Sequence, residues 1–404
     1  MSIPTHNLYD FVYQVTERRF HMLYFYPWGE KSLCNLSYNK DHFENCSPKV
    51  SEILYPEVKF PIGVSMALQP TMVCHDQEPL NFDLYNDQAA DVQQIIEQNK
   101  IYRYNLFPNY NLRHAFAPSR QKFWVLLHSE INSSELQKYE DTGKFRGAYW
   151  WSHAIIARDW YRYAQFDNRL NHQKIEKLFL IYCRDVTGSR RYRSDFLKKI
   201  DIRNLSESVN YGSHHVNPVS SAASADYDAK DFSTTGISVI LETIFEDHRI
   251  HFTEKILRAI ACGHPFIVAN GHGSLEVLKR YGFKTFSPYI DESYDRVVNA
   301  EERLDTIVNE LDRLSKLPNI QEIVGQCREI ANFNRLHFFS NSFFNTVVKE
   351  LIDNVNSLEL PNFGLDHRIF SVMRNQRDYS DSDPQVIAAL KDLARKLENN
   401  INIS

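Results

Sequence analysis

The densest collection of chemically useful side chains is the stretch from Glu242 to Asn270, ETIFEDHRIHFTEKILRAIACGHPFIVAN. Thr253, Glu254 and Lys255 stand where a loop leaving a strand enters a helix. A helix start presents unpaired N–H groups and the positive end of the helix dipole, both of which favour phosphate. Lys255 adds a full positive charge there, and Glu254 can accept hydrogen bonds from ribose hydroxyls. A capped helix with an intrahelical ion pair explains the same residues, and for this segment alone it is the better explanation.

A second group lies upstream. Arg184 follows the apolar run Leu178–Tyr182, and Arg190, Arg191 and Arg193 open the next helix; from Lys174 to Lys199 there are 8 basic and 3 acidic residues. Arginine forks match diphosphate oxygens two at a time. A solvated basic helix is the plain alternative, but a cluster beginning at a strand's C-terminal end stands where open α/β sheets bind ligands.

The elements that must position these residues alternate strand-like and helix-like, which predicts α/β architecture with mainly parallel sheets. Strands are expected at Thr71–Cys74, 123–127, 178–182, 237–243, Phe266–Ala269 and 283–286, and helices at 151–163, 190–199 and 254–262. Thr253 is the expected N-cap and Gly263 the stop of the last of these. Ser274 is expected to cap another helix that stops at Gly282. Residues 210–236, rich in Ser, Ala, Gly and Asp, read as a mobile loop. Two long helical segments are expected from Ala300 to about 358, and a final helix at 385–399 after a polar linker. Residues 163–171 read as a link between domains.

Several chemistries are excluded. No G-x-x-x-x-G-K-[ST], no full G-x-G-x-x-G and no H-E-x-x-H occurs; Gly271-His272-Gly273 is only a fragment. Asp226/Asp228 and Asp381/Asp383 have the oxygen ligands a divalent ion takes, but solvated loop carboxylates explain them more simply, so no metal is expected. The six cysteines are scattered without Cys-x-x-Cys spacing, and Cys74, Cys183 and Cys262 lie in or beside apolar runs, which suits reduced thiols. Composition is ordinary for a globular chain, at 43% hydrophobic and 24% charged, and the net charge of −5 excludes a polycation. With no signal-like N-terminus and no long apolar run, a cytoplasmic protein is expected.

The order of SRRYRSDFLKKIDI and then ISVILETIFEDHRIHFTEKILRAIACGHPFIV resembles the donor-binding half of the α1,3-fucosyltransferases. CHDQEPLN, LLHSE, WSHAIIARDWYRY, GFKTF and DESYD extend the likeness to bacteriophage- and bacterium-encoded glycosyltransferases of the two-domain (GT-B) type, over roughly residues 70–300. The resemblance implies two facing Rossmann-like domains with C-terminal helices. Residues 1–170 would form an acceptor-binding α/β domain and 171–330 a nucleotide-sugar domain, with 331–404 as helices packing back across both and a tail. It also implies a UDP- or GDP-sugar as co-substrate with no cofactor. Donor contacts would come from Arg184, Arg190, Arg191, Thr253 and Lys255, with Glu254 on the ribose. The acceptor half and the tail beyond about 360 have no counterpart in the fucosyltransferases.

An inverting displacement needs a general base in the first domain. His75-Asp76-Gln77-Glu78 ends a strand and turns at Pro79, resembling the Glu-Asn-x-x-Pro loop of fucosyltransferases, with Asp76 or Glu78 as the catalytic carboxylate; a turn stabilised by Asp and Pro is as good an explanation. His128-Ser129-Glu130 is the second base loop, and His153 a packed or acceptor-contacting residue. From Gln98 to Ser129 there is no acidic residue, and Arg103, Arg113 and Arg120 alternate with Tyr102, Tyr104, Phe107, Tyr110 and Phe116. Cations track phosphates and rings stack on an extruded base, or equally on a sugar face. The expected activity is therefore sugar transfer to a hydroxymethylated base of double-stranded phage DNA. Transfer to a surface glycan and a non-catalytic sugar- or nucleotide-binding protein are the alternatives.

Overall fold

The computed structural model describes residues 3, 8–16, 21–24, 71–82, 124–141, 145–171, 174–212, 224–246 and 248–358. They divide between two units. One holds Ser129–Ser134 and Tyr149–Leu351; the other holds the described residues within His6–His128, Glu135–Ala148 and Ile352–Ser404. The polar stretch 163–171 thus lies inside the first unit, as two short 3-10 turns with Leu170 buried.

The second unit is built on a sheet of order β1 (His21–Tyr24), β2 (Thr71–Cys74), β3 (Trp124–His128), β4 (Phe145–Tyr149), and β1, β2 and β3 run parallel. Val125, Leu126 and Leu127 are all buried, as a central parallel strand requires. The helix Ser134–Asp141 is fixed by Tyr139, which meets Phe82 and Phe145 edge to face at 5.0 and 5.4 Å. Its carboxylates hold the backbone N–H groups of Phe82 and Gly147, from Glu135 (2.6 Å) and Glu140 (2.9 Å).

The first unit has a parallel sheet of order β6 (Val209–Asn210), β5 (Lys177–Ile181), β7 (Thr235–Leu241), β8 (Phe266–Ala269). Every residue of β7 and β8 is buried, and the helices Tyr192–Ile202, Glu254–Ala261 and Ser274–Arg280 connect or follow the strands. Parallel strands and intervening helices make both units α/β, as the alternation predicts. Cys74, Cys183, Cys262 and Cys327 are buried free thiols.

Four local expectations need correction. Residues 283–286 form no strand: the Asn334 side chain accepts from the Lys284 N–H and donates to its carbonyl, both at 2.8 Å, taking the place of a neighbouring strand. Ser274 is the first residue of its helix rather than the cap; Asp295 accepts from its hydroxyl (2.8 Å) and from the Leu275 N–H (3.1 Å). The expected loop 210–236 contains the helix Ala229–Thr234, capped by Asp228, which accepts from the Lys230 N–H at 2.9 Å. The C-terminal stretch holds three helices rather than two, Ala300–Ser315, Ile320–Phe339 and Asn341–Asn356, because Ser340 breaks the long apolar pattern in an extended conformation. The proposed helix 385–399 lies outside the described residues, and among the described residues no helix is long and apolar enough to cross a membrane.

Candidate functional site

The C-terminal ends of β7 and β8 deliver polar residues in place of the apolar run that precedes them. Glu242 follows β7, and its backbone N–H still bonds to Ala269 at 3.1 Å, so its side chain leaves a rigid ladder end. The carboxylate is fully buried and takes two bonds from one residue: the Thr253 N–H at 3.1 Å and the Thr253 hydroxyl at 2.6 Å. Burial pushes the Glu242 carboxyl up, opposed by the Lys255 charge and the Thr253 bonds.

Thr253 is the N-cap of the helix Glu254–Ala261, its hydroxyl accepting from the Lys255 N–H at 3.4 Å. The same oxygen accepts from Lys255 Nζ at 3.0 Å, and Nζ also reaches Glu254 Oε1 at 3.0 Å and Thr243 Oγ1 at 3.4 Å. Two residues adjacent in sequence, Thr253 and Glu254, and Thr243 just beyond β7 therefore converge on one ammonium. Burial works to raise the Glu254 carboxyl, but the Lys255 charge and hydrogen bond, with the neighbouring His153 ring and the Arg258 charge, outweigh it and hold the group well below the usual carboxylate range. Glu254 is ionised at neutral pH.

Two further segments of the same unit reach this place. Ile131 and Ile250 exchange backbone bonds of 2.9 and 3.0 Å as an antiparallel bridge, which sets Ser129 and Glu130 beside residues 249–251. Ser129 Oγ and His251 Nε2 share a hydrogen bond of 2.8 Å, and Glu130 pairs with Arg249 at 3.2 Å. Gly271 is required by close approach, since a Cβ there would meet the Arg249 carbonyl oxygen at 2.2 Å. From the other direction, Trp151 donates to the Phe252 carbonyl at 3.2 Å and begins the helix Ser152–Trp160. That bond brings the His153 ring edge to face with His251 at 5.4 Å.

Both imidazoles are neutral. Burial lowers His153 to about 4, with the Glu254 charge opposing and Lys255 adding to the effect. Burial also holds His251 well below the ordinary value, with contributions from His153 and Lys255. His153 Nδ1 and His251 Nδ1 are buried and, among the described residues, have no hydrogen-bond partner. Leaving a buried polar atom unsatisfied costs about 1–3 kcal/mol, so polar groups of a ligand reaching this ring pair would be favourable.

The arginine cluster divides. Arg193, not among the expected ligands, is buried and donates to the carbonyls of Asp185 (2.8 Å), Leu241 (2.7 Å) and Glu242 (2.9 Å), so it fastens the end of β7. Arg184 and Arg191 are exposed, and Arg190 pairs with Asp185 at 3.2 Å. Asp226 accepts from the Tyr227 N–H at 2.8 Å and Asp228 is a helix cap, so local backbone groups account for that pair; Asp381 and Asp383 lie outside the described residues.

In the second unit His75, Asp76 and His128 are buried, whereas Gln77, Glu78 and Pro79 are half-buried. The His75 N–H bonds to the Leu127 carbonyl at 2.9 Å and carries the β2–β3 ladder one residue further, which turns Asp76 inward. A loop that ends a strand and turns at a proline is expected to expose its side chains in a cleft, but His75 and Asp76 are buried instead. Burial, with the His128 charge, pushes His75 down to about 3. Arg103, Arg113 and Arg120 lie outside the described residues.

Sequence reasoning missed Ser129, Glu242, His251 and Arg193 as partners. The signal available was Glu242, a carboxylate at the end of a wholly apolar strand. No protein-family model, curated protein or solved structure matches the chain.

Proposed function

We propose that the chain is a nucleotide-sugar-dependent glycosyltransferase of the two-domain (GT-B) class, with its donor site in the unit that carries Lys255. The observation that carries this reading is the convergence of Lys255, Glu254, Thr253 and the His153–His251 pair beyond the C-terminal edge of a parallel sheet. Open α/β sheets bind ligands there. Lys255 contacts the diphosphate, and ionised Glu254 accepts from ribose hydroxyls. Arg184 and Arg191, exposed beyond β5, add charge for the leaving phosphate. The likeness of TEK and its neighbours to the fucosyltransferase donor half supports the assignment. Of the two candidate bases, half-buried Glu78 suits an acceptor hydroxyl better than buried Asp76. The acceptor we assign, on the acid-free stretch 98–129, is a hydroxyl on a modified base of double-stranded DNA.

The test is nucleotide release from UDP-, GDP-, CMP- and dTDP-sugars, with hydroxymethylated duplex DNA or free glycans as acceptor. One donor should be consumed with DNA, and the rate should be lost in Glu78→Gln and unchanged by EDTA. Transfer to a glycan alone would replace the acceptor. Release from no donor would refute the transferase reading.

A further inference from the structure

His153 is the one member of the cluster supplied by the helix Ser152–Trp160, and it is held differently from its neighbour. His251 is pinned twice: its ring bonds to Ser129, and its backbone bonds to the Asn270 side chain through its N–H (3.5 Å) and carbonyl (3.4 Å). Among the described residues His153 has no side-chain hydrogen bond, and its Nδ1 is buried. The groups that set its charge are Glu254 and Lys255 on the helix Glu254–Ala261, with His251 in the loop before it. Arg249 acts on His251 from that same loop, and Glu130 neutralises Arg249 across the Ile131–Ile250 bridge.

Glu254 already answers Lys255 at 3.0 Å, so a second cation would have no counter-charge and the ring stays neutral. A diphosphate arriving at Lys255 brings the missing negative charge. Opposite charge within about 4–6 Å favours the charged form of an imidazole, and a protonated ring donates from both nitrogens.

We propose that His153 is a further anion-binding residue of this site, and that one proton from solvent enters its imidazole with each nucleotide diphosphate bound. The proposal rests on the reading of Lys255 as the diphosphate contact. The proton leaves again with the nucleotide, so the cycle balances without any other reactant.

Titration calorimetry with UDP-glucose and GDP-mannose tests it, because their diphosphate diesters have no proton of their own to lose near neutral pH. Heats measured in buffers of different ionisation enthalpy count the protons taken up. Wild type should take up close to one proton per site at about pH 5.5, and His153→Gln none. The wild-type Kd should tighten by up to about tenfold per unit fall in pH from about 7 to about 5, and the variant's should stay flat. If His153→Gln fails to fold by circular dichroism, the wild-type slope decides alone. Heats independent of buffer, or the same proton count in both proteins, overturn the proposal. Donor binding that Lys255→Ala abolishes, but that takes up no proton in wild type, leaves the donor reading standing and the proposal refuted. Binding of neither nucleotide sugar refutes both.

Discussion

Replacing Thr253 with valine removes one oxygen and almost no volume. That oxygen donates to the buried Glu242 carboxylate at 2.6 Å and accepts from Lys255 twice, from its N–H at 3.4 Å and its ammonium at 3.0 Å. Loss of an N-cap costs about 1 kcal/mol, and loss of a hydrogen bond to a buried charge about 1.5–3 kcal/mol. The Thr253 N–H bond to Glu242 Oε1 at 3.1 Å survives and limits the damage. The expected total is about 2–4 kcal/mol, read as a lowered urea midpoint at unchanged slope. Thr253→Ser keeps the oxygen and should stay within about 1 kcal/mol of wild type. Nucleotide-sugar affinity should fall in the valine variant and hold in the serine one, because the same hydroxyl anchors the ammonium. A valine variant as stable as wild type, or a serine variant as unstable as the valine, would refute the clamp.

Arg193→Met should cost about 3–5 kcal/mol by urea unfolding, since it strips a buried charge from the Asp185, Leu241 and Glu242 carbonyls, whereas Arg184→Ala should leave stability unchanged. Gly271→Ala sets a Cβ 2.2 Å from the Arg249 carbonyl oxygen, which neither backbone can yield cheaply, so the thermal midpoint should drop by several degrees. Acid should also destabilise the chain through its buried neutral histidines. His75 holds its proton only below about 3 when folded. Unfolded, it binds one below about 6.5, so stability is complete above that value and falls by about 1.4 kcal/mol per pH unit beneath it. A urea midpoint that does not move between about pH 7 and pH 5 would contradict that burial.

How much of this was legible in the sequence follows from the range of the forces involved. The strands β2, β3, β5, β7 and β8 and the helix Glu254–Ala261 were readable because runs such as ISVIL and the Thr253/Gly263 pair are local signals. Lys255, Glu254 and Thr253 converge as neighbours in the chain and so were visible too. The partnership of Ser129 with His251 was not, because 122 positions separate them and one β-bridge joins them. The same holds for residues 283–286: their apolar pattern is that of a strand, but the amide of Asn334 occupies the backbone groups a strand would offer. Arg193 read as one more surface cation because no local pattern separates a guanidinium under a strand end from one in water.

Equilibrium binding of nucleotide sugars to wild type and Lys255→Ala tests the central claim most directly. At fixed salt and pH, one class of UDP- or GDP-sugar should bind wild type. Removal of the single ammonium should weaken that binding by about 1.5–3 kcal/mol, or roughly ten- to a hundredfold in Kd, measured well below the variant's own thermal midpoint, which falls because Glu254 loses its counter-charge. Equal affinity in the two proteins would contradict the assignment of the site at Lys255.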